Sequence, residues 1–155
     1  LVVEIDSNLI PILNYTLSDY DNVEILNEDA LKLDFKKIVK EKNGGEPIKV
    51  VANLPYYITT PIVMGLLESK ASIESITIMV QKEVADRFSA IPGTKDYGYF
   101  TVKLNYFFEM RTIIKDGRNK LYPAPNVDSA VVKLSCGRCL FRGTQMTIYI
   151  YRKGR

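Results

Sequence analysis

The sequence predicts an α/β domain with a mainly parallel sheet. Short apolar runs rich in valine and isoleucine, at 1–5, 22–26, 48–53 and 75–80, alternate with segments whose apolar residues recur at helical spacing. That alternation is what strand–helix–strand units require, because a crossover must carry the chain back before a parallel strand can begin. The length of 155 residues suits one domain, and 46% hydrophobic with 25% charged residues is ordinary for a globular protein.

"LVVEI" (1–5) reads as a strand already under way at its first residue. "SNLIPILNYTL" follows as a helix with Ser7 as candidate N-cap and Pro11 in the first turn, where its missing N–H is tolerated. "NVEIL" (22–26) is a second strand, and "DFKKIVKEK" (34–42) a helix capped by Asp34 and ended by Asn43-Gly44-Gly45. "IKVVAN" (48–53) is the third strand. Thr60 as N-cap and Pro61 as first helical residue start the next helix, with Ile62, Val63, Leu66 and Leu67 as its apolar stripe. "SITIMV" (75–80) is a fourth strand, "QKEVADRFSA" (81–90) a helix and "PGTKDYG" (92–98) a loop. "YFTVKLNYFFEM" (99–110) and "MRTIIK" (110–115) alternate apolar and polar residues, as half-buried strands do. "LYPAPNVD" (121–128) is a proline-fixed loop and "SAVVKLS" (129–135) a final strand.

Composition narrows the chemistry. With no histidine, no Ser-His or Cys-His nucleophile is possible within these residues. Cys136 and Cys139 form one C-x-x-C, short of the roughly four ligands a structural zinc needs. Two reduced thiols, no metal and a cytoplasmic location are therefore expected. No apolar run approaches the length of a membrane span, and no signal peptide is seen. All 18 acidic residues precede position 136, while Arg138, Arg142, Arg152, Lys153 and Arg155 follow it, so the basic balance belongs to the tail. Such a tail points to a polyanion partner or to a solvated end.

Ligands of mainly parallel sheets bind at the carboxyl ends of the strands. Glu4 closes the first strand, Glu28-Asp29 follow the second and Asn53 closes the third. A carboxylate placed like Glu4 commonly accepts hydrogen bonds from two ribose hydroxyls, and Asp29 could accept from an adenine amino group. Asn53-Leu54-Pro55-Tyr56 is more specific. An aromatic amine is a poor nucleophile because its lone pair is delocalised into the ring. Two acceptors aimed at its N–H bonds favour a pyramidal nitrogen, and the Asn53 Oδ1 and the Leu54 carbonyl, held by Pro55, are two such acceptors. Tyr56 can stack on the face of a base that has left its helix. Catalysis of this kind is mostly alignment and needs no histidine.

These segments resemble a known family. "VVEID", "NEDAL", "NLPYYITTPIV", "MVQKEVADRF", "PGTKDYG" and "YPAPNVDSAVVKL", in that order across residues 2–134, are similar to the ribosomal RNA adenine N6,N6-dimethyltransferases, above all the kasugamycin-sensitivity type. The resemblance implies a Rossmann-like fold and S-adenosylmethionine as methyl donor. It also implies a monomer acting on adjacent adenines near the 3′ end of small-subunit rRNA in the pre-30S particle. It assigns Glu4, Ile5, Asp29, Ala30 and Asn53 to the cofactor, Asn53, Leu54, Pro55 and Tyr56 to catalysis, and Tyr56 with Tyr122 to stacking on the target base.

The departures shape further expectations. The family's first strand and Gly-rich loop have no counterpart here, nor has its helical C-terminal domain. Leu121 stands where the family usually has Phe. Residues 1–135 are therefore expected to be a partial catalytic domain, and 136–155 a basic tail without family likeness. Loss of the first strand would leave two central sheet edges unpaired, with poor folding and weak cofactor binding. A non-catalytic rRNA-binding module and another Asn-x-Pro-Tyr N-methyltransferase are the alternative readings.

Overall fold

The computed structural model describes residues 1–116, 128–136 and 146–151. Seven strands form one sheet: β1 (Val2–Glu4), β2 (Ile25–Leu26), β3 (Ile48–Asn53), β4 (Ile73–Gln81), β5 (Phe108–Asp116), β6 (Ser129–Cys136) and β7 (Thr147–Tyr151). Among the described residues, five α-helices accompany them: α1 (Ile10–Thr16), α2 (Phe35–Asn43), α3 (Tyr56–Glu68), α4 (Lys82–Phe88) and α5 (Tyr99–Phe107). The strand order is β2-β1-β7-β3-β4-β6-β5. The first five strands of that order are parallel, and β6 and β5 continue the sheet antiparallel.

The two unpaired central edges are not there. β7, drawn from the basic tail, lies between β1 and β3 and pairs in parallel with both. Its alternation matches its neighbours' pleat: Ile148 lies beside Val50, and Ile150 beside Ala52 and Val3. All five are buried. The same buried face runs on through Ile76 and Ile78 of β4, the registered partners of Val50 and Ala52, so β7 makes one core out of what would be two. The tail is therefore part of the sheet from Thr147 to Tyr151, while 137–145 and 152–155 lie outside the described residues.

Local chemistry explains most boundaries. Asp34 caps α2 by accepting from the Lys37 N–H at 2.9 Å, and Gly44 ends it at a φ of 63°, where a side chain would be strained. Asp34→Ala should lower stability by about 1 kcal/mol in urea unfolding, and an unchanged midpoint would show the cap to be idle. Around α1 the expected cap fails. Ser7 makes no cap bond, and the turn is held by Asp6, which accepts from the Asn8 N–H through Oδ1 and from the Leu9 N–H through its carbonyl, both at 3.0 Å.

Two segments depart from expectation. α3 starts at Tyr56, ahead of Thr60, so Pro61 lies inside the helix. The start is set by Pro55, whose φ of −57° is already helical and whose carbonyl accepts from the Ile58 N–H at 3.1 Å and the Thr59 hydroxyl at 3.3 Å. Residues 99–107 are the helix α5, not a strand; only from Phe108 does the chain extend. Thr101 and Leu104, three residues apart, are the buried residues of α5. Phe100 meets Phe88 of α4 at 5.0 Å between ring centroids, and the Thr101 hydroxyl donates to the Arg87 carbonyl at 3.0 Å. In so aromatic a segment a two-residue and a 3.6-residue period both find apolar matches, and packing on α4 decides between them.

Candidate functional site at the carboxyl edge of the sheet

β1, β7 and β3 end side by side. Glu4 is registered with Tyr151, and Tyr151 with Asn53, so the last residues of three neighbouring strands form one row. Two interstrand spacings separate the Glu4 and Asn53 backbones, roughly 10 Å.

Glu4 is completely buried. Its Oε1 accepts from the Asp6 N–H at 2.7 Å, which turns the carboxylate back over the strand end. Its Oε2 is buried and has no hydrogen-bond partner among the described residues. An unpartnered buried acceptor costs about 1–3 kcal/mol, and more for a charge, so the fold carries a local demand for a donor here. Asn27 fixes the same strand end from β2, its amide donating to the Glu4 carbonyl at 2.8 Å and the Ile5 carbonyl at 3.3 Å. Sequence reasoning missed Asn27; the available signal was an amide directly after a strand, beside the singled-out Glu28-Asp29.

Asp29 caps a single 3-10 turn at Ala30–Lys32, accepting from the Leu31 N–H at 3.0 Å through Oδ1. Ala30 is buried beneath it. Ile5, Asp29, Ala30 and Leu54 line one narrow cleft of about 10 Å³, with Ile58 and Ile62 of α3 and Ile150 of β7 among its other walls. Leu54, 4% exposed, anchors the turn after β3 and leaves Asn53 exposed at the strand end. Ile5, Asp29, Ala30 and Leu54 are thus gathered at one place, while Glu4, between the cleft residues Val3 and Ile5 in sequence, is not itself a wall of the cleft. Asn53 stands on the same edge across Tyr151 and is not a wall of the cleft. Tyr56 opens α3. The side chain of Tyr56, with Leu121 and Tyr122, lies outside the described residues.

The edge thus combines a buried carboxylate oxygen without a donor among the described residues and, beside it, a narrow cleft with apolar walls that Asp29 helps to line. Among the described residues no group of three or more Cys, Asp or Glu could hold a metal ion, and no helix is long and apolar enough to cross a membrane.

The family described as ribosomal RNA adenine dimethylase matches residues 1–149. A relative named ribosomal RNA small subunit methyltransferase A, from Lachnoclostridium phytofermentans, is 59% identical over 136 residues, 87% of this chain and 47% of that protein. One of the same name from Clostridioides difficile is 54% identical over 134 residues, 86% of this chain and 46% of that protein. The chain thus spans about half the length of the curated relatives it matches. Among solved structures, a dimethyladenosine transferase from Plasmodium falciparum superposes with a TM-score of 0.73 at 28% identity, over 87% of this chain and 47% of that one. The 23S rRNA methyltransferase ErmE does so with a TM-score of 0.69 at 32% identity, over 91% of this chain and 54% of that one. Both are consistent with the Rossmann-like sheet described above.

Proposed function

Because the chain belongs to the ribosomal RNA adenine dimethylase family, we propose that it carries catalytic-domain residues of an S-adenosylmethionine-dependent enzyme. That enzyme dimethylates N6 of adjacent adenines near the 3′ end of small-subunit rRNA, in the cytoplasm and on the pre-30S particle. The observation that carries the reading is the buried Glu4 carboxylate, whose Oε2 has no partner among the described residues and which ends in one row with Asn53.

The residues fit the cofactor. Glu4 Oε2 is the acceptor a ribose hydroxyl would satisfy, Ile5 and Ala30 border the adenine bed, and Asp29 accepts from the adenine amine. When bound, the cofactor supplies an electrophilic methyl group on a sulfonium. The chain's own part is alignment. Asn53 Oδ1 and the Leu54 carbonyl accept the two N–H bonds of the target amine and turn its lone pair out of the ring plane. Pro55 holds that carbonyl, and Tyr56 stacks on the base at about 1–3 kcal/mol.

Glu4→Gln tests the assignment. It keeps an acceptor for the Asp6 N–H but puts an amide where Oε2 lies. S-adenosylmethionine affinity should fall about tenfold or more, the worth of a charge-assisted bond, while the unfolding midpoint holds or rises. Titration by calorimetry, on this chain and on one extended at the N-terminus through a Gly-rich loop, reads the effect. Equal affinities for Glu4→Gln and the parent would remove Glu4 from the site.

The basic tail supplies a second test. If Arg138, Arg142, Arg152, Lys153 and Arg155 contact RNA phosphates, they contribute at most roughly −4.5 to the log–log salt slope on duplex. Deletion of the tail would remove β7 as well, so the clean variant replaces the five cations with Gln. A flattened slope is expected, and an unchanged one would make the tail's charge irrelevant to RNA.

A further inference from the structure

We infer that Gln81 orients the target base: its side-chain amide donates to a ring nitrogen of adenine beside the amine, N1 or N7, while Asn53 and Leu54 hold the amine itself. The inference rests on the base pocket proposed above and adds an edge contact to it.

Gln81 ends β4, the strand beside β3, at the edge where Asn53 ends β3. Asn53 is registered with Met79, and side chains two apart along a strand share a face. Asn53, Met79 and Gln81 therefore look out from the same side of the sheet. Burial agrees: Ala52, Ile78 and Val80 are buried on the other side, while Asn53 is exposed and Met79 and Gln81 are half-buried. Gln81 stands one strand over and two residues further out, so the Cα atoms of Asn53 and Gln81 are about 8 Å apart. Side chains of this length can meet neighbouring atoms of one base edge across that gap.

The position is rigid and its amide is unused. Gln81 is the N-cap of α4, at a φ of −61° and a ψ of 146°, yet its side chain makes no cap bond. Among the described residues nothing else bonds to that amide. The backbone is fixed on both sides. Gln81 pairs with Ser129 of β6, the Lys82 N–H donates to the Asp128 carbonyl at 2.9 Å, and Ala85 and Phe88 bury α4 behind it. A half-buried glutamine at the end of an inner strand thus keeps a donor and an acceptor free, on the kind of element that places a contact most precisely.

Adenine supplies the matching group. Its N6 amine lies between two ring nitrogens, both acceptors. With the amine's two N–H bonds directed to the Asn53 Oδ1 and the Leu54 carbonyl, the open group beside it is an acceptor, and the Gln81 amide nitrogen is a donor. Stacking holds a base by its faces and leaves it free to turn in its own plane. That rotation decides whether the two N–H bonds meet their acceptors, so a bond on the base edge has a purpose that stacking cannot serve.

The test is single-turnover methylation, by the complete enzyme, of small-subunit rRNA carrying adenosine, 1-deazaadenosine or 7-deazaadenosine at the target positions. One deaza analogue should cost the parent about tenfold and so name the accepting nitrogen. Gln81→Leu should lose about tenfold on adenosine and then be indifferent to that analogue, because the bond is already gone. Gln81→Glu, which keeps the length but offers no donor at neutral pH, should show the same indifference. S-adenosylmethionine affinity and the urea midpoint should stay parental in both variants; a fall in either for both would make Gln81 structural and overturn the assignment. Equal parental rates on all three RNAs, or losses that multiply when variant and analogue are combined, overturn it while leaving the pocket standing. If Asn53→Ala keeps the parental rate, the pocket itself fails and Gln81 falls with it.

Discussion

Ile148→Asp abolishes cooperative folding of this chain at ambient temperature. Ile148 is fully buried beside Val50 in the middle of the sheet. The substitution forfeits about 2–3 kcal/mol of apolar burial. It also places a carboxylate where no donor waits, a further loss of several kcal/mol unless the acid protonates. Domains of this size are stable by only about 5–15 kcal/mol, so the two losses take most of the margin. Tyr149→Asp, one residue on and half exposed on the opposite face, should change stability by no more than about 1 kcal/mol. Urea titration followed by far-UV circular dichroism separates the two. Matching curves for Ile148→Asp and the parent would mean that β7 does not sit in the sheet.

Asn53→Ala in the complete enzyme lowers single-turnover methylation of small-subunit rRNA by about a hundredfold or more, the usual loss when one preorganised partner of the transition state is removed. The reason is differential binding. An acceptor at the amine matters little while the nitrogen is flat and most when it pyramidalises, so the loss falls on turnover. Cofactor affinity should weaken only severalfold, because Asn53 stands across Tyr151 from Glu4 and outside the cleft that Asp29 lines. Near parental rates would take Asn53 out of the reaction.

Features fixed by neighbouring residues could be read from the sequence. The Asp34 cap, the Gly44 stop and the β3 strand ending in Asn53 all follow from chemistry within a few positions. Tertiary choices could not. The alternation of "TIYIY" is as clean as that of any strand here, yet nothing local says that its Ile148 and Ile150 belong between β1 and β3; that choice is made by strands 98 to 147 residues earlier. In α5, two periods fitted the same aromatic residues until Phe88 and Arg87 supplied a packing partner. At the site, the residue types and strand ends were legible, whereas the burial of Glu4 Oε2 without a partner among the described residues was not, because burial is a property of the assembled edge.

The position of β7 has a consequence for the order in which these residues fold. An inner strand of the sheet comes last among them in sequence, and the bond from the Leu1 amine to the Thr147 carbonyl spans 146 positions. Closing so long a loop costs roughly 2 kcal/mol more than closing one of ten residues. In refolding from denaturant, the ladder of β3, β4, β6 and β5 should therefore form first, and the docking of β7, which joins that ladder to β1 and β2, should come late.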